Sequence, residues 1–164
     1  MLVFAEQRDD KFKKPSLEAI SEGRRLADKL GADLTVILIG DGLAGLESEP
    51  RRLGADRILL VKEPRLRFYA PEAYARALEE AIRSVDADLV LMAASAMGRD
   101  LGARIAARFR TGLASDCTGI MVEGGALTMR RPVYSGKAFA TVTVSGARPA
   151  MATLRPNVFA VLSE

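Results

Sequence analysis

The amino-acid sequence predicts an α/β fold: a doubly wound, mainly parallel sheet with helices on both faces, followed by a β-rich carboxy-terminal extension. Three segments are continuously apolar and rich in branched residues, namely Asp33–Ile39, Asp56–Lys62 and Asp88–Ala94. Strands of this kind are typical of a parallel sheet that is buried on both faces. Helical segments lie between them, as the crossover connections of such a sheet require.

The first thirty residues predict one strand and one helix. Leu2–Glu6 is a short apolar run that predicts the first strand, and Lys11–Pro15 is predicted to be a polar loop. Ser16 is a candidate cap for a helix that runs to about Leu30, where Gly31 is the expected stop.

Two further helices follow the same logic. Pro71 opens a segment that continues through Val85 with apolar residues at helical spacing on one face. Asp100–Phe109 predicts another helix, which carries Leu101, Ile105 and Phe109.

The carboxy-terminal part has a different pattern. From Ser115 onward, Gly124–Gly125 separates two alternating segments. Ala138–Val144 and Met151–Arg155 add two more around a turn at Gly146–Pro149. Alternation between Gly-rich turns predicts antiparallel strands.

Composition excludes several classes of function. The chain has 164 residues, no histidine and one cysteine, Cys117. Without histidine it lacks the commonest general base and metal ligand, so we expect no metal site and no catalytic residues. The domain is therefore predicted not to be an enzyme, and Cys117 to be an inert, partly buried thiol.

Charge and hydropathy restrict the partners and the location. The net charge is +3, the basic residues are spread along the chain, and aromatic residues make up 5%. Nucleic-acid binding needs clustered cations, so we expect none. No apolar run approaches the ~20 residues that span a bilayer, and no signal peptide is evident. A cytoplasmic protein without membrane insertion is predicted.

Three loops are candidates for a phosphate or anion contact, two of them by motif and one by its position. Gly40–Gly45 satisfies the pattern G-x-G-x-x-G, but it comes after the second predicted strand, whereas the dinucleotide motif follows the first. Pro50 also interrupts the short segment after the loop. A Gly-rich turn is therefore favoured over a dinucleotide site. At Ser135–Lys137 the phosphate-loop pattern fails, which predicts a turn. The Ser95–Asp100 segment, at the end of a strand, is either an anion contact or a helix cap.

Four segments, taken in order, resemble a known family. They are DLVLMAASAMGRDLGARIAARF, GLASDCTGI, RRPVYSGKAFATV and MATLRPNVF. Together they are similar to the alpha subunit of the electron-transfer flavoproteins, with its Gly-Arg-Asp-Leu, Ser-Asp, Arg-Pro-x-Tyr-x-Gly and Arg-Pro motifs.

The resemblance implies a heterodimer with a beta subunit that carries electrons from flavoprotein dehydrogenases to a quinone oxidoreductase. FAD is the carrier in the complete family protein, held mainly by a second domain. This chain is expected to be a single α/β domain, 1–164, with that carboxy-terminal FAD-binding domain absent, and to bind no FAD alone.

The leading hypothesis is therefore a structural and partner-docking domain of an electron-transfer flavoprotein. Arg131 and Tyr134 are the interface candidates, and Ser95, Arg99 and Asp100 are the candidates for a cofactor contact. The alternative is a free-standing adenine-nucleotide-binding α/β domain, with phosphate held by the Gly40–Gly45 or the Ser95–Asp100 loop.

Overall fold

The computed structural model describes residues 1–123 and 126–163, as eleven strands, four α-helices and two 3-10 turns. In chain order the elements are β1 (Leu2–Phe4), β2 (Gln7–Arg8), β3 (Lys11–Phe12), α1 (Lys14–Leu30), β4 (Thr35–Gly40), α2 (Ser48–Arg52), β5 (Arg57–Lys62), a 3-10 turn (Pro64–Leu66), α3 (Pro71–Ser84), β6 (Leu89–Ala93), α4 (Ala96–Phe109), β7 (Leu113–Cys117), β8 (Gly119–Glu123), β9 (Ala126–Val133), a 3-10 turn (Tyr134–Gly136), β10 (Ala138–Val142) and β11 (Ala150–Leu154).

The central sheet has six parallel strands in the order β5-β4-β1-β6-β11-β7. From β1 the chain first builds β4 and β5 on one side and then crosses over to β6 on the other. The direction of winding therefore reverses between β1 and β6. A three-stranded antiparallel sheet, β10-β9-β8, accompanies the parallel core, and β2 and β3 form a short hairpin. The predicted fold class is confirmed.

Helices cover both faces of the parallel sheet, each over its own apolar cluster. On one face α1 and the inner face of the antiparallel sheet enclose a core that includes Ile20, Leu26, Ile120 and Met129. On the other face α3 and α4 enclose a core that includes Leu78, Ile82, Leu101 and Ile105.

The three apolar segments do form strands, but they are not equally buried. Every residue of β4 and β6 is buried, as expected for interior strands. The segment Asp56–Lys62 was also expected to be buried, and this is wrong for β5, in which the side chain of Leu60 is 42% exposed. The reason is position, because β5 is an edge strand and its composition does not reveal this.

The start of α1 differs from the prediction. Lys11–Pro15 is not a loop, since its first two residues form β3 and the helix begins at Lys14. Ser16 is not the cap: it lies inside the first turn, and its Oγ donates a hydrogen bond of 2.8 Å to the carbonyl oxygen of Glu6. Pro15 fits a first helical turn, where its missing N–H is no loss. The predicted stop at Gly31 is confirmed, with φ of 61°.

The carboxy-terminal strands are of two kinds. Antiparallel pairing is confirmed for β8, β9 and β10, whereas Gly124–Gly125 lies outside the described residues. The prediction of an antiparallel strand at Met151–Arg155 is wrong, because β11 enters the parallel sheet between β6 and β7. All five residues of β11 are buried. An interior parallel strand is covered on both faces, so its sequence need not alternate between apolar and polar residues. The strand β7 is likewise parallel.

Candidate functional site

The carboxyl ends of β1 and β6 meet where the winding of the sheet reverses, the usual place for ligands in open α/β sheets. Glu6 comes shortly after β1 and is buried, and Ser95 comes shortly after β6. The Ser95 hydroxyl donates a hydrogen bond to the Glu6 carboxylate, and Lys13 Nζ lies 2.7 Å from Glu6 Oε1. The polar groups at the centre of the crevice are thus engaged by one another.

Ser95 is the N-cap of α4. Its Oγ accepts a hydrogen bond of 3.0 Å from the backbone N–H of Gly98. The helix begins at Ala96, four residues before the predicted start at Asp100, because this cap satisfies one of the free amides of the first turn. Of the two roles left open for the Ser95–Asp100 segment, capping is therefore present.

The three predicted cofactor contacts point to different partners. Asp100 accepts a hydrogen bond of 2.6 Å from the Tyr69 hydroxyl and also pairs with Arg104. The hydrogen bond from Tyr69 is the main cause that lowers the pKa of Asp100. Arg99 instead lies 3.8 Å from Asp116. Ser95, Arg99 and Asp100 thus do not converge on one cavity, and their role toward a cofactor stays a prediction.

The Gly40–Gly45 loop borders an acidic cavity. A cavity of about 350 Å³ is lined by three carboxylates, one cation, one amide and one glycine: Asp9, Asp10, Asp41, Arg67, Gln7 and Gly42. The Asp10 carboxylate lies directly against Gly42. Three carboxylates against the single cation Arg67 leave the lining with a net negative charge, which repels a phosphate group. The geometry agrees with the favoured interpretation, a Gly-rich turn, and it disfavours the alternative of nucleotide binding at this loop.

A charged cluster lies at the carboxyl end of β7. We call it the Asp116 cluster, and it consists of Asp116 with Arg99, Arg131 and Arg155. Arg155 holds Asp116 through two hydrogen bonds, from Nε at 3.1 Å and from Nη2 at 2.6 Å. Arg155 is the main cause that lowers the pKa of Asp116, and the charges of Arg99 and Arg131 act in the same direction.

The backbone at Asp116 is unusual. Its φ is +60°, and the register between β7 and β11 shifts at this point. The amide N–H of Asp116 donates a hydrogen bond of 2.9 Å to the hydroxyl of the buried Thr153. A strand irregularity of this kind re-aims one side chain, and here it directs the carboxylate toward the guanidinium of Arg155.

The turn between β9 and β10 carries an exposed aromatic ring. Tyr134 is 81% exposed, and its φ of +50° is followed by a φ of +56° at Ser135. The prediction of a turn at Ser135–Lys137 is confirmed, since Tyr134–Gly136 is a 3-10 turn. Nearby, the Arg130 guanidinium lies 4.1 Å from the centre of the half-exposed Phe139 ring.

The single thiol is less accessible than predicted. Cys117 was expected to be partly buried, and it is fully buried. Its Sγ donates a hydrogen bond of 3.3 Å to the carbonyl oxygen of Ala114, and burial raises its pKa to about 11. A thiol in this environment is inert at neutral pH, which agrees with the other half of the prediction.

Sequence reasoning missed two members of the Asp116 cluster. Asp116 and Arg155 were not singled out, although both stand in the motifs that carry the family resemblance, Ser-Asp and Arg-Pro. Those motifs were a usable signal. What the sequence does not show is that they meet with Arg99 and Arg131 at one edge of the sheet.

Comparison with known proteins identifies the family. The family described as "Electron transfer flavoprotein domain" matches residues 1–164, the whole chain. The chain belongs to the electron transfer flavoprotein family. The resemblance found in the four motifs is thereby confirmed, and the chain is an alpha-subunit domain of such a flavoprotein.

Individual relatives agree with this assignment. The chain is 42% identical over 159 residues to Protein FixB of Clostridium saccharobutylicum, a match that covers 96% of the chain and 47% of the relative. It is 40% identical over 157 residues to the electron transfer flavoprotein subunit alpha of Thermoanaerobacterium thermosaccharolyticum, with 95% and 48% covered. For the acryloyl-CoA reductase electron transfer subunit beta of Anaerotignum propionicum the identity is 36% over 180 residues, with 95% and 49% covered.

The chain spans about half the length of the curated relatives that it matches. Within residues 1–123 and 126–163, none of the helices is long and apolar enough to cross a membrane.

Proposed function

We propose that this domain is the structural and partner-docking part of a heterodimeric, FAD-containing electron carrier in the cytoplasm. The carrier accepts electrons from flavoprotein dehydrogenases and delivers them to a quinone oxidoreductase, and the domain packs against the beta subunit. Family membership supports the electron-carrier role. The name of the relative from Anaerotignum propionicum, an electron transfer subunit beta, supports assembly with other subunits.

In this proposal the flavin is held mainly by the part of the longer relatives that the chain does not match. Residues 1–164 form one α/β domain that contributes shape and charge rather than a base or a nucleophile. Of the three cofactor candidates, Arg99 has the most open side chain, 62% exposed, whereas Ser95 and Asp100 are engaged in contacts within the domain. Arg99 is thus the one available to a group outside the domain.

The observation that carries the docking role is the turn at Tyr134. A tyrosine ring that is 81% exposed is held in a left-handed backbone conformation, which residues with a Cβ adopt rarely and at a cost. Tyrosine combines a flat apolar ring with one hydroxyl, and such rings are enriched at protein interfaces. The turn thus holds the Tyr134 ring in solvent although its backbone conformation is strained. Such an arrangement is suited to a protein interface in which a partner covers the ring.

Substitution of the two interface residues tests the proposal. We expect Tyr134→Ala and Arg131→Ala to weaken binding to a matched beta subunit by about 1–3 kcal/mol each, as for interface hot spots. Isothermal titration calorimetry measures the affinity. The matched control is Phe68→Ala, since Phe68 is 78% exposed but belongs to the loop before α3.

Thermal unfolding is the control for folding. Arg131 is only partly exposed, so its replacement could disturb the fold, and each variant must unfold at the same temperature as the wild type. If both variants fold normally and bind the beta subunit as tightly as the wild type does, the turn is not part of the interface. If the control loses as much affinity as Tyr134→Ala, exposed aromatic area in general is responsible.

A further inference from the structure

Each of the four segments that carry the family resemblance supplies one charged residue to the Asp116 cluster. Arg99 stands in Gly-Arg-Asp-Leu, Asp116 in Ser-Asp, Arg131 in Arg-Pro-Val-Tyr-Ser-Gly and Arg155 in Leu-Arg-Pro. They come from α4, β7, β9 and the residue after β11. The fold therefore gathers four segments, distant in sequence, around one carboxylate.

The cluster has more positive charge than its own carboxylate neutralises. Arg155 and Arg99 lie 2.6 and 3.8 Å from the Asp116 carboxylate, and the charge of Arg131 also acts on it. Three guanidinium groups and one carboxylate leave two positive charges in excess. The Asp116 carboxylate accepts two hydrogen bonds from Arg155, in the forked geometry with which arginine binds carboxylates. Within the cluster, the positive charges of Arg99 and Arg131 are therefore the ones that no carboxylate neutralises fully.

These two arginines have unused donors. Arg99 Nη2 lies 3.8 Å from Asp116 Oδ1, beyond hydrogen-bonding distance, and its side chain is 62% exposed. Among the described residues, the buried Nε of Arg131 has no hydrogen-bond partner. Because this Nε is itself buried, a group outside the chain can reach Arg131 only through the terminal Nη atoms of its guanidinium.

The backbone supports the same interpretation. Asp116 holds a φ of +60° in a strand whose register is interrupted, and the buried Thr153 hydroxyl supports its amide. Strained backbone is kept where the surrounding structure fixes it, and it is concentrated at functional sites. The carboxylate is thereby placed among the arginines, where it holds Arg155 in position.

We propose that the Asp116 cluster is a socket for a carboxylate side chain of the beta subunit, which Arg99 and Arg131 bind through the Nη donors of their guanidinium groups. This inference rests on the proposed docking function and names the chemistry of the contact. A protein partner is favoured over a small anion because the side chains of Arg99 and Arg155 are 62% and 41% exposed to water. Exposed ion pairs contribute little until a partner surface excludes solvent around them.

The test uses the double variant Arg99→Gln/Arg131→Gln and a matched beta subunit. Both changes remove charge and keep most of the side-chain length. We expect the dissociation constant to rise by about tenfold or more, mainly through a faster off-rate, and the salt dependence of association to become weaker. Surface plasmon resonance at several ionic strengths measures both quantities. Arg76→Gln is the control, because Arg76 is 79% exposed on α3 and pairs with Glu80.

Each outcome supports or overturns the inference. If the double variant binds with wild-type affinity and salt dependence, the socket is wrong while docking itself stands. If the wild-type chain does not bind the beta subunit, the docking function and the socket fall together. If inorganic phosphate or pyrophosphate binds the wild type saturably at low millimolar concentration and not the double variant, the cluster is a small-anion site and carboxylate docking is overturned.

Discussion

Replacing Gly98 by alanine perturbs the junction between β6 and α4. A Cβ on Gly98 would lie closer than 3.0 Å to the carbonyl oxygen of Ala93, and a backbone atom cannot turn aside. The first turn of α4 must move, which strains the packing by about 1–3 kcal/mol. The same movement weakens the hydrogen bond from the Gly98 N–H to Ser95 Oγ, a cap that contributes about 1 kcal/mol.

One effect acts in the opposite direction. Alanine is a better helix former than glycine by about 1 kcal/mol, so the net expectation for Gly98→Ala is a loss of about 1–3 kcal/mol. Urea unfolding followed by circular dichroism measures the change in the free energy of unfolding. The control is Gly112→Ala, whose added Cβ would meet its nearest neighbour at 3.7 Å. If Gly98→Ala is as stable as the wild type, the close approach of α4 to β6 is not a constraint on the fold.

Two further predictions concern β7. Because Arg155 lowers the pKa of Asp116 in the folded chain, Asp116 stabilises the fold above its ordinary pKa of 3.8, and this contribution is lost as the pH falls through the lowered value. We therefore expect the free energy of unfolding of Asp116→Asn to fall less between about pH 6 and about pH 2 than that of the wild type, as measured by urea unfolding. An equal fall in both proteins would contradict this. Because burial raises the pKa of Cys117 to about 11, a thiol reagent should modify the chain at the rate of unfolding, and rapid modification of the native chain would refute the assignment.

The sequence predicts elements best where one pattern dominates. Pro71 and helical spacing locate α3 within a residue, and continuous branched apolar residues locate β4 and β6. Position within the sheet is harder to predict. An edge strand such as β5 and an interior strand such as β4 share a composition, and β11 was misassigned because burial on both faces depends on neighbours that come from elsewhere in the chain.

The site shows the same limit. Arg131 and Arg99 were identified from motifs, one as an interface residue and one as a cofactor contact. The sequence contains no measure of the distance between motifs, so it could not predict that both belong to one cluster around Asp116. The residues around Tyr134 are sufficient to predict a turn there. The meeting of four segments that are distant in sequence can be recognised only once the sheet is folded.

The position of β11 has a consequence for biosynthesis. The strand β11 comes last among the described strands, yet it lies inside the parallel sheet, between β6 and β7. A nascent chain that has emerged as far as β10 contains the described helices α1 to α4 but has a gap in the sheet. Among the described strands, β7 has no parallel neighbour until residues 150–154 arrive. Folding therefore awaits a contact between segments far apart in sequence, and loop-closure entropy makes such steps slow. Translation of roughly the first 140 residues produces a species with an open β6 edge, the kind of intermediate that chaperones protect from aggregation.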